Sequence, residues 1–473
     1  MKLENILFII GCAGSTLALT SSQIIKDMGI GWNLGNTLEA CGDWINGKTV
    51  KDYETAWGNP ETTEEIIKGV KSYGFSSVRI PVAWSNLMTN DYTINPLLLE
   101  RAKEVVNYVV GNDMYAILNI HWDNGWFEKF ATEEKSSFEK FHRIWEQVSD
   151  YFKDFDEKLI FESLNEEGCW NDLWNRWSNA GDKSKAYGLL NTMNKDFVEI
   201  VRSSGGNNGD RHLLLAGYCT DIDLTVDEAF VTPKDDKIMV SVHYYTPSTF
   251  TIISEDADWG KASRTWGTDS EVQFLLNDFK KIKTRFVDKG IPIIIGEYGT
   301  TITNKDMDSV YKYLRTVAET SLANDMLPVL WDNGEHFDRK KLVFKDPKIG
   351  EIYKDIASKL GKSVGDNTSD NTTDNTSGDD NNTQQEECWS EPDYPCCKNT
   401  CEVFMTDDFE WGIENNGWCG IPSSCTESRK AEDSCPGYPD YPCCEDCKAI
   451  LTEEDGRRWG VLNNDWCSIK NSC

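Results

Sequence analysis

Two glutamates stand where apolar runs end. In IPIIIGEYG (residues 291–299) four isoleucines and a proline lead through Gly296 to Glu297. A run that is apolar at every position is the pattern of a strand buried on both faces, as parallel sheets require. In KLIFESLNEEG (158–168) a similar run leads to Asn165 and Glu166. A carboxyl group at the end of a buried strand is costly to fold and useful for chemistry. Two brought together can cleave a glycosidic bond: one protonates the leaving oxygen while the other attacks the anomeric carbon. A separation of roughly 5–5.5 Å then gives retention through a covalent intermediate. The like charge of Glu297 is expected to raise the pKa of Glu166. The competing account of Glu166 or Glu167 is a solvated acid at a helix start.

Other apolar runs end in groups that suit such a pair. Arg79 closes SSVRIP, where a cation is expected to hold Glu297 ionised and lower its pKa. His121 and Trp122 follow YAILNI, His243 and Tyr245 close KIMVSVHYY, and Trp331 closes LPVLW. Asn165, next to the acid, can hydrogen-bond a sugar hydroxyl. Polar and aromatic groups at nearly every strand end are what a sugar-binding mouth needs. Histidines beside an acid can also ligate a metal, but no two of these candidates share a helix face, and no metal or other cofactor is expected.

These residues need a scaffold that gathers strand ends. Eight strand candidates occur in residues 20–360, starting near 29, 75, 115, 158, 212, 237, 291 and 327. Helical patterns fall between most of them. Asn95 can cap a helix that opens with Pro96 and stops before Gly111. Phe138, Phe141, Trp145, Val148, Phe152 and Phe155 form one helical stripe. Residues 271–288 and 307–322 carry similar stripes, and Thr62 or Thr63 can cap a helix before Ile66. Between the fifth and sixth strands helix signals are thin. Eight strand–helix units predict an α/β fold, a (β/α)8 TIM barrel. An open doubly wound sheet is the alternative, but no glycine-rich phosphate turn follows GIGWN. In a barrel, Glu166 on strand four and Glu297 on strand seven face each other across the mouth.

The net charge of −31 over 473 residues argues against nucleic acid or an anionic membrane surface as partner. Residues 1–20, with Lys2 before a short apolar run, predict a secretory signal, the alternative being a buried N-terminal helix. No other stretch is long enough to span a bilayer. The catalytic domain is placed at 21–360. Residues 361–387 are almost devoid of apolar side chains and predict a solvated linker. They carry glycosylation sequons at Asn367, Asn371, Asn375 and Asn381.

Twelve of the sixteen cysteines lie after residue 387. They belong to two repeats, 388–425 and 435–473, each with six cysteines, a PDYPCC segment and two tryptophans: Trp411 and Trp418, then Trp459 and Trp466. Modules this small need disulfides, which points to a secreted, extracellular protein. Fifteen pairings per repeat stay open. Neither repeat has a histidine, which weakens a zinc site. Cys41, Cys169 and Cys219 are an odd set, so one is expected to stay unpaired. The tryptophans of each repeat fit a protein interface, a sugar platform or plain core packing. Of the remaining tryptophans, 44, 57, 126, 170, 174, 177, 259 and 266 lie in loops or at their borders, some lining a cleft and some packing.

The order GWNLGNTLEA, VRIPVAW, LNIHWD, FESLNEE, VHYYTP, IIGEYG, VLWDNG resembles glycoside hydrolase family 5, the large cellulase family of clan A, over about residues 25–360. The resemblance implies a retaining barrel enzyme acting on β-1,4-glycans, with Glu166 as acid/base and Glu297 as nucleophile. It also implies an active-site shell of Arg79, His121, Asn165, His243, Tyr245 and Trp331. Glu167 departs from the family, where many members have proline, and is expected to shift the pKa of Glu166. The repeats resemble the fungal dockerins that plug enzymes of anaerobic gut fungi into a cellulosome, and also a class of small cellulose-binding modules. The expectation is a secreted endo-β-1,4-glucanase docked to a cellulosome scaffold protein. The alternatives are the same enzyme acting on xyloglucan, mixed-linkage glucan, mannan or xylan with a tail that binds cellulose, or a non-catalytic carbohydrate-binding protein.

Overall fold

A computed structural model of the chain describes residues 19–365 and, beyond them, 396–397, 405–406, 410–414, 417–422, 444, 451–452, 458–462 and 465–468. Eight parallel strands close into a barrel. In chain order they are β1 Gly31–Asn33, β2 Ser77–Ile80, β3 Tyr115–Asn119, β4 Leu159–Glu162, β5 Leu213–Ala216, β6 Ile238–Tyr244, β7 Ile293–Tyr298 and β8 Leu327–Leu330. Each pairs with its sequence neighbours, and β8 returns to β1. These are the eight runs read from the sequence, and the fold is the TIM barrel.

The principal helices are α1 Ser21–Met28, α2 Glu64–Lys71, α3 Pro96–Gly111, α4 Glu134–Tyr151, α5 Lys183–Ser203, α6 Asp269–Arg285, α7 Met307–Ala323 and α8 Pro347–Gly365. Asn95 caps α3 through Leu97 N at 2.9 Å, with Pro96 in the first position. Gly111 is the last helical residue rather than the first beyond it. Thr63 takes the N-cap position of α2 without a side-chain bond. The thin signal between β5 and β6 has a physical cause, since that connection contains only a 3-10 turn, Tyr218–Thr220, and the short α-helix Ile222–Thr225. At the end of the barrel unit α8 runs to Gly365, five residues beyond position 360.

Two cores result. The larger lies between the strands and the outer helices. The smaller lies inside the barrel, where Ile117, Ile160, Leu214, Met239, Ile294, Leu327 and Val329 meet Ile24, Ile25 and Met28 of α1. This helix plugs the barrel end opposite the site. Thr20 caps it in a capping box with Gln23, and Leu19 packs against the same cluster. Leu19 and Thr20 therefore pack with the barrel. The rest of the predicted leader lies outside the described residues, as do the four sequons.

One departure from strand regularity matters for chemistry. Along β6 and β7 the pairing runs Val242↔Ile295 and then His243↔Glu297, skipping Gly296. Ile294 faces the inner core and Ile295 the outer one. Simple alternation would turn Glu297 outward, and the bulge at Gly296 re-aims it into the mouth beside His243. A Cβ at position 296 would stand 2.6 Å from Ser241 Oγ and 3.1 Å from His243 Nε2, so only glycine fits without a shift.

The C-terminal region forms a second compact unit, 369–473. It holds two three-stranded antiparallel sheets in matching register. Trp411 pairs with Gly420 and Ile413 with Trp418 in the first; Trp459 pairs with Ser468 and Val461 with Trp466 in the second. Cys397 and Cys419 are disulfide-bonded, and Cys444, which follows Cys443 as Cys397 follows Cys396, is also in a disulfide. The remaining pairings lie outside the described residues.

Candidate active site

Arg79 is the hub of the site. It rises from β2 into the barrel, fully buried. Its Nε donates to Glu162 Oε2 at 2.6 Å, and its terminal nitrogens donate to Asn33 Oδ1 at 3.0 Å, Glu297 Oε1 at 2.8 Å and Asn165 Oδ1 at 2.9 Å. Asn33 in turn donates to the carbonyl of Gly296 at 2.9 Å, tying the hub to the bulge. Tyr245 OH donates to the other oxygen of Glu297 at 2.9 Å. Glu297 is thus held at both oxygens by donors that favour its charge.

Glu166 lies four residues beyond the end of β4 rather than at its last position. Its Oε1 is 2.7 Å from His243 Nδ1, and that nitrogen is 3.7 Å from Glu297 Oε2. One oxygen each of Glu166 and Glu297 and a ring nitrogen of His243 lie within 4.8 Å of one another. The same three groups are close enough to share a cation, although His243 Nδ1 is already engaged with Glu166. Nearly half of the Glu166 side chain, 48 %, is accessible, against 7 % for Glu297. An accessible acid above a buried, doubly anchored one is the asymmetry that two different roles require.

The electrostatics correct two expectations. Glu166 does have a raised pKa, but the cause is its withdrawal from water by the walls of the site, opposed by Arg79. Burial is the larger cause, and the like charges of the two acids add to the rise at Glu297. Glu297 is also raised rather than lowered: burial outweighs the opposing pull of His243, Arg79 and the Tyr245 hydrogen bond. His243 is pushed down to about 4 by burial, so it is a neutral imidazole in mildly acidic and neutral solution. Burial also pushes Glu167 well above the carboxylate range, with the nearby Glu166 and Glu162 adding to the rise. Its Oε2 accepts from Asn165 N at 2.9 Å. Glu166 and Glu167 thus repel one another, each disfavouring the other's charge.

Asn165 gives its carbonyl oxygen to Arg79, and its amide N–H groups make no hydrogen bond to the described residues. His121 stacks on Trp331 with ring centroids 5.6 Å apart and planes 4° from parallel. Burial and the charges of Arg79 and His243 push His121 well below its usual value. Trp122 is exposed beside this pair. Of the loop tryptophans, Trp126, Trp170, Trp174 and Trp266 are packed inside, while Trp44, Trp57, Trp177 and Trp259 are exposed. Trp44 and Trp57 stack on each other at 5.9 Å. Trp411, Trp418, Trp459 and Trp466 belong to the C-terminal unit. Cys169 and Cys219 are bonded, tying the loop of Glu166 to the one after β5, and Cys41 is the buried, unpaired member of that odd set.

Comparison with known proteins adds a decisive match. Residues 39–337 fit the family model described as Cellulase (glycosyl hydrolase family 5). The chain belongs to glycoside hydrolase family 5. Residues 387–421 and 434–469 of this family 5 protein each match a cellulose or protein binding domain. It is 35 % identical over 431 residues to Endoglucanase B of Neocallimastix patriciarum, covering 87 % of each chain. It is 36 % identical over 357 residues to Endoglucanase A of Paenibacillus barcinonensis, covering 68 % of this chain and 84 % of the relative. Among solved structures it resembles a GH5-4 broad specificity endoglucanase from an uncultured bovine rumen ciliate, with TM-score 0.66, 36 % identity and coverage of 73 % and 99 %. It also resembles a family 5 lichenase from Caldicellulosiruptor sp. F32, with TM-score 0.67, 32 % identity and coverage of 72 % and 96 %.

Two residues of the hub, Asn33 and Glu162, were not anticipated from the sequence. Both lie on inward positions of three- and four-residue strands. The available signal was period two: Glu162 follows the inward Ile160 by two, and an inward acid inside an apolar run calls for a buried cation.

Proposed function

We propose that this family 5 glycoside hydrolase is a retaining endo-β-1,4-glucanase. One observation carries the proposal: two carboxylates on opposite strands of the barrel mouth approach within 4.8 Å, one accessible, the other anchored by Arg79 and Tyr245. That spacing leaves no room for a water between the second carboxylate and the anomeric carbon and favours direct attack by that carboxylate. Glu297 attacks the anomeric carbon while Glu166 protonates the leaving oxygen. Glu166, now ionised, then takes a proton from water as that water releases the sugar. The stacked His121–Trp331 pair and the exposed Trp122 supply flat surfaces for sugar rings.

The substrate is β-1,4-glucan, a reading supported by the endoglucanases among its relatives. A wider range that includes mixed-linkage glucan is favoured by the neighbours described as a broad specificity endoglucanase and a lichenase. For the tail we favour docking to a cellulosome scaffold, supported by the duplicated cysteine-rich repeats and the relative from a Neocallimastix species. Direct cellulose binding is the second reading, because the matched domain is described as binding cellulose or protein. We propose export through the N-terminal leader. Among the described residues no helix is long and apolar enough to cross a membrane.

The test is release of reducing ends from carboxymethyl cellulose and the anomeric form of the first product. The β-anomer is expected, and Glu297→Gln should abolish turnover while leaving glucan binding intact. An α-anomer, or substantial turnover by Glu297→Gln, would refute the mechanism, and a protein that binds without cleaving would be a carbohydrate-binding module. Initial rates on xyloglucan, mixed-linkage glucan, mannan and xylan rank the substrates.

A further inference from the structure

Arg79 has a second acidic partner that takes no part in the chemistry described above. Glu162 is fully buried, its Oε2 accepts from Arg79 Nε at 2.6 Å, and its Oε1 has no hydrogen-bond partner among the described residues. A buried carboxylate with one oxygen unsatisfied is expensive, and in an inert position an apolar residue would serve the barrel better. We propose that Glu162 is a positioning residue, the standing counter-ion that keeps Arg79 paired when Glu297 loses its charge during turnover.

This role for Glu162 rests on the retaining mechanism proposed above, in which charge leaves and returns to Glu297. In the first half-reaction a lone pair of a Glu297 oxygen forms the bond to the anomeric carbon. The bond from that carbon to the leaving oxygen breaks, and the proton of Glu166 passes to the leaving oxygen. Glu297 is then a neutral ester and Glu166 a carboxylate. Arg79 touches Glu297 directly at 2.8 Å, so ester formation removes one of its two anions. The other, Glu162, is on β4 and cannot react. In the second half-reaction Glu166 accepts a proton from water, the water oxygen bonds to the anomeric carbon, and the ester bond breaks to return the Glu297 carboxylate. A buried guanidinium left without a partner in the middle of this cycle would destabilise the ester.

Removing the charge of Glu162 should therefore push the two half-reactions in opposite directions. Arg79 would grip the Glu297 carboxylate harder, making attack slower and departure from the ester faster. The same change would favour ionisation of Glu297. The groups that face Glu297 are Arg79 from β2, Glu166 from beyond β4, and His243 and Tyr245 from β6 and its end; His121 beyond β3 acts on Arg79 and His243. Glu162→Gln, which keeps an acceptor for Nε, changes the balance at Arg79 through direct contact and also removes a charge that acts on His243.

The experiment uses the full chain and a 2-deoxy-2-fluoro-β-cellobioside with a good leaving group. Inactivation rate, spontaneous reactivation rate and the pH profile of kcat/KM are measured for wild type, Glu162→Gln and Glu162→Asp. In Glu162→Gln, inactivation is expected to slow by roughly ten- to a hundredfold, reactivation to quicken, and the acid limb to move down by about one pH unit. Glu162→Asp keeps the charge and should keep the acid limb of the wild type. Slowing of both half-reactions together, an unmoved acid limb, or a Glu162→Asp that behaves like Glu162→Gln would overturn the proposal. If Glu162→Gln does not fold, a crystal structure of the trapped wild-type ester decides: the Arg79–Glu162 contact retained supports it, and Arg79 turned to another partner refutes it. Absence of label on Glu297 of the wild type itself would bring down the retaining mechanism and this proposal with it.

Discussion

At the scale of single residues, burial sets the acidity of the site. Both Glu166 and Glu297 titrate above the ordinary 4.5, so the acid limb of kcat/KM, which reports Glu297 losing its proton, should fall above that value. Replacing Glu166 by Gln should remove the basic limb and reduce kcat/KM on unactivated glucan by about 10²–10⁴-fold. A retained basic limb would assign it to another group. Away from the chemistry, buried Glu39 accepts from the backbone N–H groups of Asn36 and of Thr37, the latter at 2.8 Å, and burial raises it to about 7. Its folded pKa lies above the unfolded one, so its contribution to stability is complete below about 4.5 and is lost as pH rises through 7. The loss amounts to roughly 3 kcal/mol. Glu39→Gln should flatten the fall in Tm between pH 5 and pH 8, as calorimetry at the two values would show.

The two acids and their shell were legible in the sequence because each ends a continuous apolar run, and such runs are what strands buried on both faces look like. The cause of the shifts was not legible. Whether like charge or burial dominates depends on how far the walls of the site exclude water, and only packing fixes that. Glu162 escaped notice for a related reason. On a four-residue strand, which side faces inward is decided by closure of the barrel rather than by the strand's own pattern.

At the scale of elements, the bulge in β7 and the disulfide beyond β4 each aim one acid. Gly296→Ala should drive Ser241 and His243 away from the inserted methyl and disturb the contact between His243 and Glu166. A displacement of this size is expected to lower kcat by about a hundredfold with only a modest loss of Tm. Wild-type kcat in Gly296→Ala would show that the strand can absorb the methyl. The Cys169–Cys219 bridge closes a 50-residue separation three positions from Glu166, and Cys219 N donates to Glu167 O at 2.9 Å. Replacing both cysteines by serine should lower unfolding free energy by about 2–4 kcal/mol, read from the denaturant midpoint. Parity among three cysteines forecast one unpaired thiol, but not which pair would meet. The helix pattern failed only between β5 and β6, where the chain spends four residues on a helix too short to show a stripe.

At the scale of the whole molecule, the barrel and the repeats are separate compact units, and their activities should separate too. A chain ending at Gly365 is expected to hydrolyse soluble carboxymethyl cellulose at the wild-type rate. It should lose retention on a cellulosomal protein fraction by about tenfold or more, since two repeats act together. If retention on bare cellulose falls instead and protein partners are indifferent, the tail is a cellulose-binding device.

The short helix that closes the lower end of the barrel has a consequence for what can be cut. With Ile24, Ile25 and Met28 wedged beneath the strands, the interior is filled from below and only the rim that carries the acids is left to meet a substrate. On the proposed reading a long polymer lies across that rim, its two tails trailing on either side. The linkage resting between the acids is then expected to be the one that breaks, however far off the nearest chain terminus lies, and a rapid fall in the viscosity of soluble glucan would show it.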